Sequence, residues 1–412
     1  MACIAMAQGD LSALLSTRPH LSTLSDLISL TGINRTLSES SNITILAPTN
    51  AAFKELLQMN IPEAGGVRDR DIDTVTALLR NHVFRGFYPS NRIEKVPTFA
   101  QTFVTPDEQN DIQPFTAITG GQYNGLVKDG SGVKIISGEL SISNVTTADI
   151  PLGNSIVVHV ISSVLMFGPP LQLFLPRGGY TGFAAALAAA DNLSLPLGID
   201  DNPAVAAAGI TDLTVFIPSN QALWNIGSVI QSINETTLQD ILQYHVLTDN
   251  IIFSPSFGNR TIATSLDEHN LTTTRTKDGR IFVNEAKVIF GNIILSNGVA
   301  HVIDSVLNPA ALFERSQLNF SAPASQRLQF DSASSVSDPL PTAIIPFADE
   351  LDAPVETPAI LASAPLVDVR DRVTVTTTAT VAMTKLPSKC RTAATTEHVH
   401  CVVHYGGTTV SC

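Results

Sequence analysis

The sequence predicts an α+β protein built twice, with two wedges of strands, each under covering helices, followed by a tail of different composition. Three motifs, met in the same order in both halves, carry that prediction. Asn42 to Phe53 (Asn-Ile-Thr-Ile-Leu-Ala-Pro-Thr-Asn-Ala-Ala-Phe) returns as Leu213 to Trp224 (Leu-Thr-Val-Phe-Ile-Pro-Ser-Asn-Gln-Ala-Leu-Trp). Asn81-His82-Val83-Phe84 returns as Tyr244-His245-Val246-Leu247, and Ile156 to Leu165 returns as Gly298 to Leu307. The step from His159 to His301 is shorter than that from Pro48 to Pro218, so the first copy carries the longer loops.

The elements follow in chain order. Residues 1–8 end in Ala5-Met6-Ala7 without a basic start, and are expected to be a remnant of a signal peptide or a mispredicted start. Leu11, Leu14 and Leu15, then Leu21, Leu24, Leu27 and Ile28, stand at helical spacing on either side of Pro19, which predicts two amphipathic covering helices. In the opening motif a β-branched run ends at Pro48, which removes a backbone donor and stops the strand. Thr49 or Asn50, and Ser219 or Asn220, can then cap a helix. Leu56 to Gly66 reads as a loop closed by Gly65-Gly66, and Asp71 to Arg80 as a helix delivering Asn81-His82. From Ala100 to Leu140, breaks at Gly120-Gly121, Asp129-Gly130 and Ser137-Gly138 mark hairpins, and Val157 to Leu165 reads as a strand buried on both faces. Gly168-Pro169-Pro170 is a linker too short and stiff for free tumbling. Leu171 to Ala190 is the second covering helix, Asn202-Pro203 a turn, Thr236 to Gln243 the helix before Tyr244-His245, and Leu271 to Asn284 a hairpin around Asp278-Gly279.

Taken together, these motifs resemble the fasciclin (FAS1) domain, in tandem and of fungal type, over roughly residues 9 to 313. The resemblance implies domains at 9–167 and 171–313, joined by 168–170, each a β-sandwich-like wedge of strands with helices packed on one side. It implies adhesion or matrix contact through protein or glycan partners at the cell surface, and no catalysis or cofactor. Adhesion in the family attaches to a Tyr-His segment and to an Asp-Ile pair ahead of the closing motif. Tyr244 and His245 match the first, whereas Asn81-His82 lacks the tyrosine. Asp149 and Ile150 match the second if one residue is inserted, and Asn292-Ile293 holds the place in the second copy.

The whole chain limits the function classes. With 24 Lys+Arg against 37 Asp+Glu its net charge is −13, the wrong sign for a phosphate-binding surface, so no nucleic acid is expected. No apolar run is long enough to span a bilayer; Phe183 to Ala190 reads as a buried, Ala-rich helix. Cys3, Cys390, Cys401 and Cys412 lie outside both copies, which must therefore hold by core packing. Asn34, Asn42, Asn144, Asn192, Asn234, Asn259, Asn270 and Asn319 head Asn-x-Ser/Thr sequons, about twice what chance gives, which favours a secreted or cell-surface glycoprotein, with the vacuole lumen as the alternative. Residues 314–412 read as a disordered Ser/Thr/Pro-rich tail without a hydrophobic end for a GPI anchor. There His398, His400, Cys401, His404 and Cys390 match no common zinc spacing, so no metal is expected. No nucleophile elbow, phosphate-binding glycine loop or HExxH helix occurs. The repeated His82, His159, His245 and His301 stand in apolar runs, where a neutral imidazole bonded to a backbone carbonyl is the expectation and a catalytic or pH-sensing group the alternative. A lipid- or small-ligand module would instead need an apolar pocket between sheet and helices, and an enzyme a cleft with paired titratable groups. The sequence leaves the oligomeric state open.

Overall fold

The computed structural model describes residues 11–106, 115–130, 132–190, 210–230, 232–258, 260–311, 319–327, 329–330 and 333–334, with the backbone alone at 139 and 260–264. Residues 1–8, the turn at Asn202-Pro203, the sequons at Asn192 and Asn259, and the Cys/His cluster near the C-terminus lie outside the described residues.

Each repeat is organised on one parallel strand pair. In β1 (Ile43–Pro48) every residue is buried, as in its partner β7 (Ile156–Ile161), and the register runs from Ile43↔Ile156 to Pro48↔Ile161. Burial on both faces is why these segments are continuous apolar runs rather than alternating ones. With β2 (Val83–Arg85), β3 (Thr98–Gln101), β4 (Tyr123–Asp129), β5 (Gly132–Ile136) and β6 (Ile142–Leu152) they make a seven-stranded sheet in the order β2-β1-β7-β6-β5-β4-β3. The second repeat copies this strand for strand. Its β8 (Leu213–Pro218), β9 (Val246–Leu247), β10 (Arg260–Thr264), β11 (Asn270–Arg275), β12 (Ile281–Val283), β13 (Ala286–Leu295) and β14 (Gly298–Ile303) stand in the order β9-β8-β14-β13-β12-β11-β10. Bridges Phe84↔Thr102 and Leu247↔Ser265 bring the two ends of each sheet together, so each curls upon itself.

The helical layers hang from the opening motif. Thr49 and Ser219 are the caps: their hydroxyls accept the Ala52 and Ala222 N–H groups at the starts of α4 (Asn50–Leu56) and, in the second repeat, Asn220–Asn225. The neighbouring asparagines do a different job. Asn50 accepts the Thr23 N–H and donates to the Pro19 carbonyl and Ser22 hydroxyl, while Asn220 accepts the Gly182 N–H and donates to Gly179 and Thr181. Each thereby ties the covering helices to the strand end. In the first repeat those are α1 (Leu11–Ser16), α2 (Ser22–Thr31) and α3 (Asn34–Glu39), with Leu15, Leu24 and Ile28 against Ile45 and Ala47. The loop expected at Leu56 to Gly66 is instead α5 (Pro62–Asp69), followed by α6 (Ile72–Asn81). Gly65-Gly66 lies inside α5 because the two helices meet there; a Cβ on Gly66 would fall 2.3 Å from the Thr74 methyl carbon. The single helix expected from Leu171 to Ala190 is also corrected. It is α7 (Leu171–Arg177) and α8 (Thr181–Ala189), parted at Gly178-Gly179, with Gly179 at φ 76°. The second repeat continues with α9 (Asn220–Asn225), α10 (Gly227–Ile230) and α11 (Glu235–Tyr244).

The two repeats meet through unlike faces. The rings of Phe99 (β3) and Phe253 stack with centroids 3.9 Å apart, Tyr123 leans on Phe253 at 5.2 Å, and Val127, Ile136, Ile294 and Val299 complete the apolar seam. Leu140 of the first repeat enters the core of the second. Around this seam the Ala117 N–H donates to Ser296 O (2.8 Å), the Ser296 N–H to Pro169 O (3.0 Å), the Gln122 amide to Leu295 O (3.2 Å) and the Thr119 N–H to Asp212 (2.9 Å). The linker is part of the contact. A Cβ on Gly168 would lie 2.5 Å from the Leu295 carbonyl carbon, so only glycine lets the backbones approach.

The second repeat also extends past the expected boundary at 313. Described residues between 319 and 334 pack on it: Phe320 edges Phe282, Asn308 is bonded to Gln329, and Phe330 and Ala333 lie on its core. The reading of everything from 314 as tail missed these contacts, because in sequence they are isolated apolar residues in a Ser/Pro-rich stretch.

Candidate functional site

The four repeated histidines form two kinds of internal bridge, each present in both repeats. At the end of α6, His82 Nδ1 meets Leu78 O at 2.7 Å, and its Nε2 accepts the Leu165 N–H at 2.9 Å. His245, after α11, repeats this with Ile241 O (2.7 Å) and the Leu307 N–H (3.0 Å). An N–H on one side and a carbonyl on the other fix the tautomer, with Nδ1 carrying the proton. On the parallel pair the tautomer is reversed. His159 Nδ1 accepts the Asp149 N–H (3.1 Å) and Nε2 donates to Tyr88 O (2.9 Å), while His301 accepts from Asn292 (3.3 Å) and donates to Ile252 O (2.8 Å). All four are buried. Burial pushes His82, His245 and His301 down to about 4, against the pull of the carbonyls that accept from them, and lowers His159 in the same way. These are neutral cross-links: protonation would set an N–H against an N–H.

Tyr244, expected as a contact residue, is buried at 4% exposure. Its hydroxyl donates to Asn270 O (3.1 Å) and accepts from Asn284 Nδ2 (2.9 Å), so the ring points into the sheet and the polar end is consumed. The counterpart Asn81 is buried too, donating to Leu165 O and Met166 O. Tyr244 is therefore corrected from a surface contact to an interior residue beside the buried His245: its hydroxyl is held at the β11–β12 hairpin, whereas Asn81 faces the closing segment.

The Asp149-Ile150 pair lies elsewhere, on a bulge of β6. Pairing with the closing strand makes Asp149 the equivalent of Asn292 and Ile150 of Ile293, and the extra residue sits in the following turn, since Leu152↔Ile156 matches Leu295↔Gly298. Both bulge residues are left-handed, Asp149 at φ 59° and Asn292 at φ 62°. Both hold the start of a short 3-10 turn: Asp149 accepts the Ser90 N–H (2.8 Å) and hydroxyl, and Asn292 accepts the Ser254 N–H (2.7 Å). Partial burial opposes it, yet the Ser90 bonds hold the Asp149 carboxyl below its usual range.

Their surroundings differ. Asp149 is exposed, as are Thr146, Thr147, Ala148 and Pro151, while Ile150 is buried beneath. Asn292 is 6% exposed, because its neighbours Phe253 and Ile294 are in the seam against the first repeat. So the structure brings Asp149 to the surface and takes Ile150, Tyr244 and His245 away from it. Sequence reasoning missed Phe99, Tyr123 and Phe253, whose aromatic character is equally that of core residues.

Asn42, Asn144, Asn234, Asn270 and Asn319 are exposed, whereas Asn34 is half-buried in the first turn of α3 with its Oδ1 enclosed. Asn234 also caps α11 through Thr237 N–H (2.8 Å). Under α1–α3 a cavity of about 10 Å³ is lined by Leu11, Leu24, Leu37, Leu79 and His82, room for no more than a water molecule. Among the described residues no three His, Cys, Asp or Glu side chains converge as a metal site, and no helix is long and apolar enough to cross a membrane.

The fasciclin domain model matches residues 19–167 and 178–309. A fasciclin-like arabinogalactan protein of Arthroderma benhamiae is 29% identical over 344 residues, 81% of this chain and 75% of that one. The fasciclin-like arabinogalactan protein CTB11 of Cercospora beticola is 25% identical over 306 residues, 73% of this chain and 76% of its own. Among solved structures, a FAS1 domain pair from the insect cell adhesion molecule Fasciclin I aligns at 16% identity over 71% of this chain and 97% of that one, with a TM-score of 0.31.

Proposed function

We propose, because this chain belongs to the fasciclin domain family and carries its domain twice, that the protein works outside the cell or on its surface as an adhesive, matrix-contact glycoprotein. The names of its fungal relatives, fasciclin-like arabinogalactan proteins, point to the same glycan-bearing setting. One observation carries the reading of the contact: the first repeat leaves the Asp149 edge open, while the same edge of the second repeat is spent on joining the repeats. In this reading a protein or glycan partner meets the Asp149 carboxylate and the neighbouring Thr146 and Thr147, with Ile150 supporting the bulge from below. Tyr244 and His245 act only by holding the second repeat together. Exposed Asn42, Asn144, Asn234, Asn270 and Asn319 are the sequons open to an oligosaccharide.

The test is to tag the protein in a fungal host and probe intact cells and medium, mapping glycopeptides from the same material. Surface or secreted protein with glycans at several of those asparagines is the expected result; a cytosolic, unmodified protein overturns the reading. Beads coated with Asp149→Asn protein should then adhere less than wild type at unchanged melting temperature. Equal adhesion would remove the Asp149 edge from the contact.

A further inference from the structure

Phe282 lies in β12 between Ile281 and Val283, which point into a core cluster. Strand alternation turns its own ring to the opposite, outer face, yet it is 0% exposed. What covers it comes from beyond the fasciclin match: Phe320 meets the ring edge-on at 5.0 Å and the Arg327 guanidinium lies over it at 5.3 Å. Arg327 is itself buried. Its guanidinium donates to the Asp304 carboxylate (2.5 Å), to the Glu285 carbonyl and, through Nε, to Ala322 O (3.0 Å). That is an acid, two carbonyls and a π face around one planar cation, the set that suits arginine better than lysine.

The surroundings are built for the cation. The Asp304 carboxylate is also held by the Lys287 N–H (2.8 Å) and the Ser305 hydroxyl (3.2 Å), which aim it. Burial pushes the Glu285 carboxyl up, against the pull of Arg327, and its Oε2 is enclosed with no hydrogen-bond partner among the described residues. Arg280 lies over the same ring at 5.9 Å but turns to Asp278 and to Phe320 O, which pins the incoming segment. In the first repeat Ser162 occupies the place of Asp304, pairing with Asn144 as Asp304 pairs with Lys287, and it brings no charge.

We propose that the second repeat carries a guanidinium-binding site, formed by Asp304, Phe282 and the Glu285 carbonyl, which Arg327 fills in cis with the Ala322 carbonyl of its own segment as a further acceptor, so that residues 319–327 are a latch held by that site. The ligand class is an arginine side chain, here presented at the end of the 3-10 turn Ala324–Gln326. Beyond the guanidinium the chain continues through Gln329 to Asn308 (2.9 Å) and Phe330 to the core, so one side chain gates the docking of the whole stretch.

Hydrogen exchange on the full chain tests this. With Arg327→Ala, peptides from 319–327 should exchange at least about ten-fold faster than in wild type while the first repeat keeps its protection. Millimolar ethylguanidinium should restore protection in that variant, and ethylammonium should not. Should Arg327→Ala fail to fold, Arg327→Lys, which keeps the charge and loses the fork, gives the same readout with a smaller loosening. Unchanged exchange in these variants, or rescue by both cations alike, overturns the proposal.

Discussion

Pro89, Asp149 and Pro151 in the first repeat occupy the places of Phe253, Asn292 and Ile294 in the second. The backbone is the same in both: a left-handed bulge residue, its N–H on a histidine and its side chain on a short 3-10 turn. One version is an exposed edge and the other is the seam between repeats. The difference teaches that the scaffold and its surface chemistry are separable. Buried histidine bridges set where the bulge stands, and three outward side chains decide whether that place docks or stays free.

Acid should break the shared half of the comparison, with the largest effect. His82, His245 and His301 sit at about 4 when folded against an ordinary 6.5. Above pH 6.5 their contribution is fully present. Between 6.5 and 4 the unfolded chain binds protons that the folded one does not, so stability falls with pH by up to about 1.4 kcal/mol per unit for each histidine. Denaturant melts across that window measure it, and a flat profile would show that the bridges tolerate charge. Next, Phe253→Ala should cost about 3 to 5 kcal/mol and split the calorimetric transition in two, because it removes the stack on Phe99. A single unshifted transition would mean the seam does not couple the repeats. His245→Ala should cost about 2 to 4 kcal/mol in the second repeat by leaving the Ile241 carbonyl and Leu307 N–H unpaired, read by thermal unfolding. The exchange of bulge residues sharpens the contrast directly. Asn292→Asp should cost about 1 to 3 kcal/mol, since it places a carboxylate in the seam, whereas Asp149→Asn should stay within about 0.5 kcal/mol on the open edge. Equal costs in chemical denaturation would erase the distinction between the two edges.

Much of this was legible in the sequence, for physical reasons that differ by element. The strand-to-helix motifs at Pro48 and Pro218 were readable because a fully buried strand, a proline stop and a cap are all local. The histidines were readable as packing residues from their apolar runs. Gly65-Gly66 misled because glycine inside a helix is justified only by α6, which comes close from elsewhere in the chain. Tyr244 misled because its place at a helix end fixes its direction only once the β11–β12 hairpin is present. The seam and the latch were hidden for the same reason. Phe253 and Arg327 acquire their roles from partners in other segments, Phe99 and Asp304, and nothing beside them in the chain marks those partners.

The seam joins the β3–β5 side of one repeat to the β13–β14 side of the other, so it is head-to-tail rather than self-complementary. Contacts of that kind propagate: any further unit offering the first kind of face to a free copy of the second would add to the row, and between molecules such addition ends in filaments. Here the first unit meets an incoming neighbour with Asp149 and two prolines, Pro89 and Pro151, where docking needs an aromatic ring, an amide and an isoleucine. Docking there would desolvate a carboxylate and forgo the apolar contact, so the chemistry that builds the seam is missing from the same edge of the first repeat.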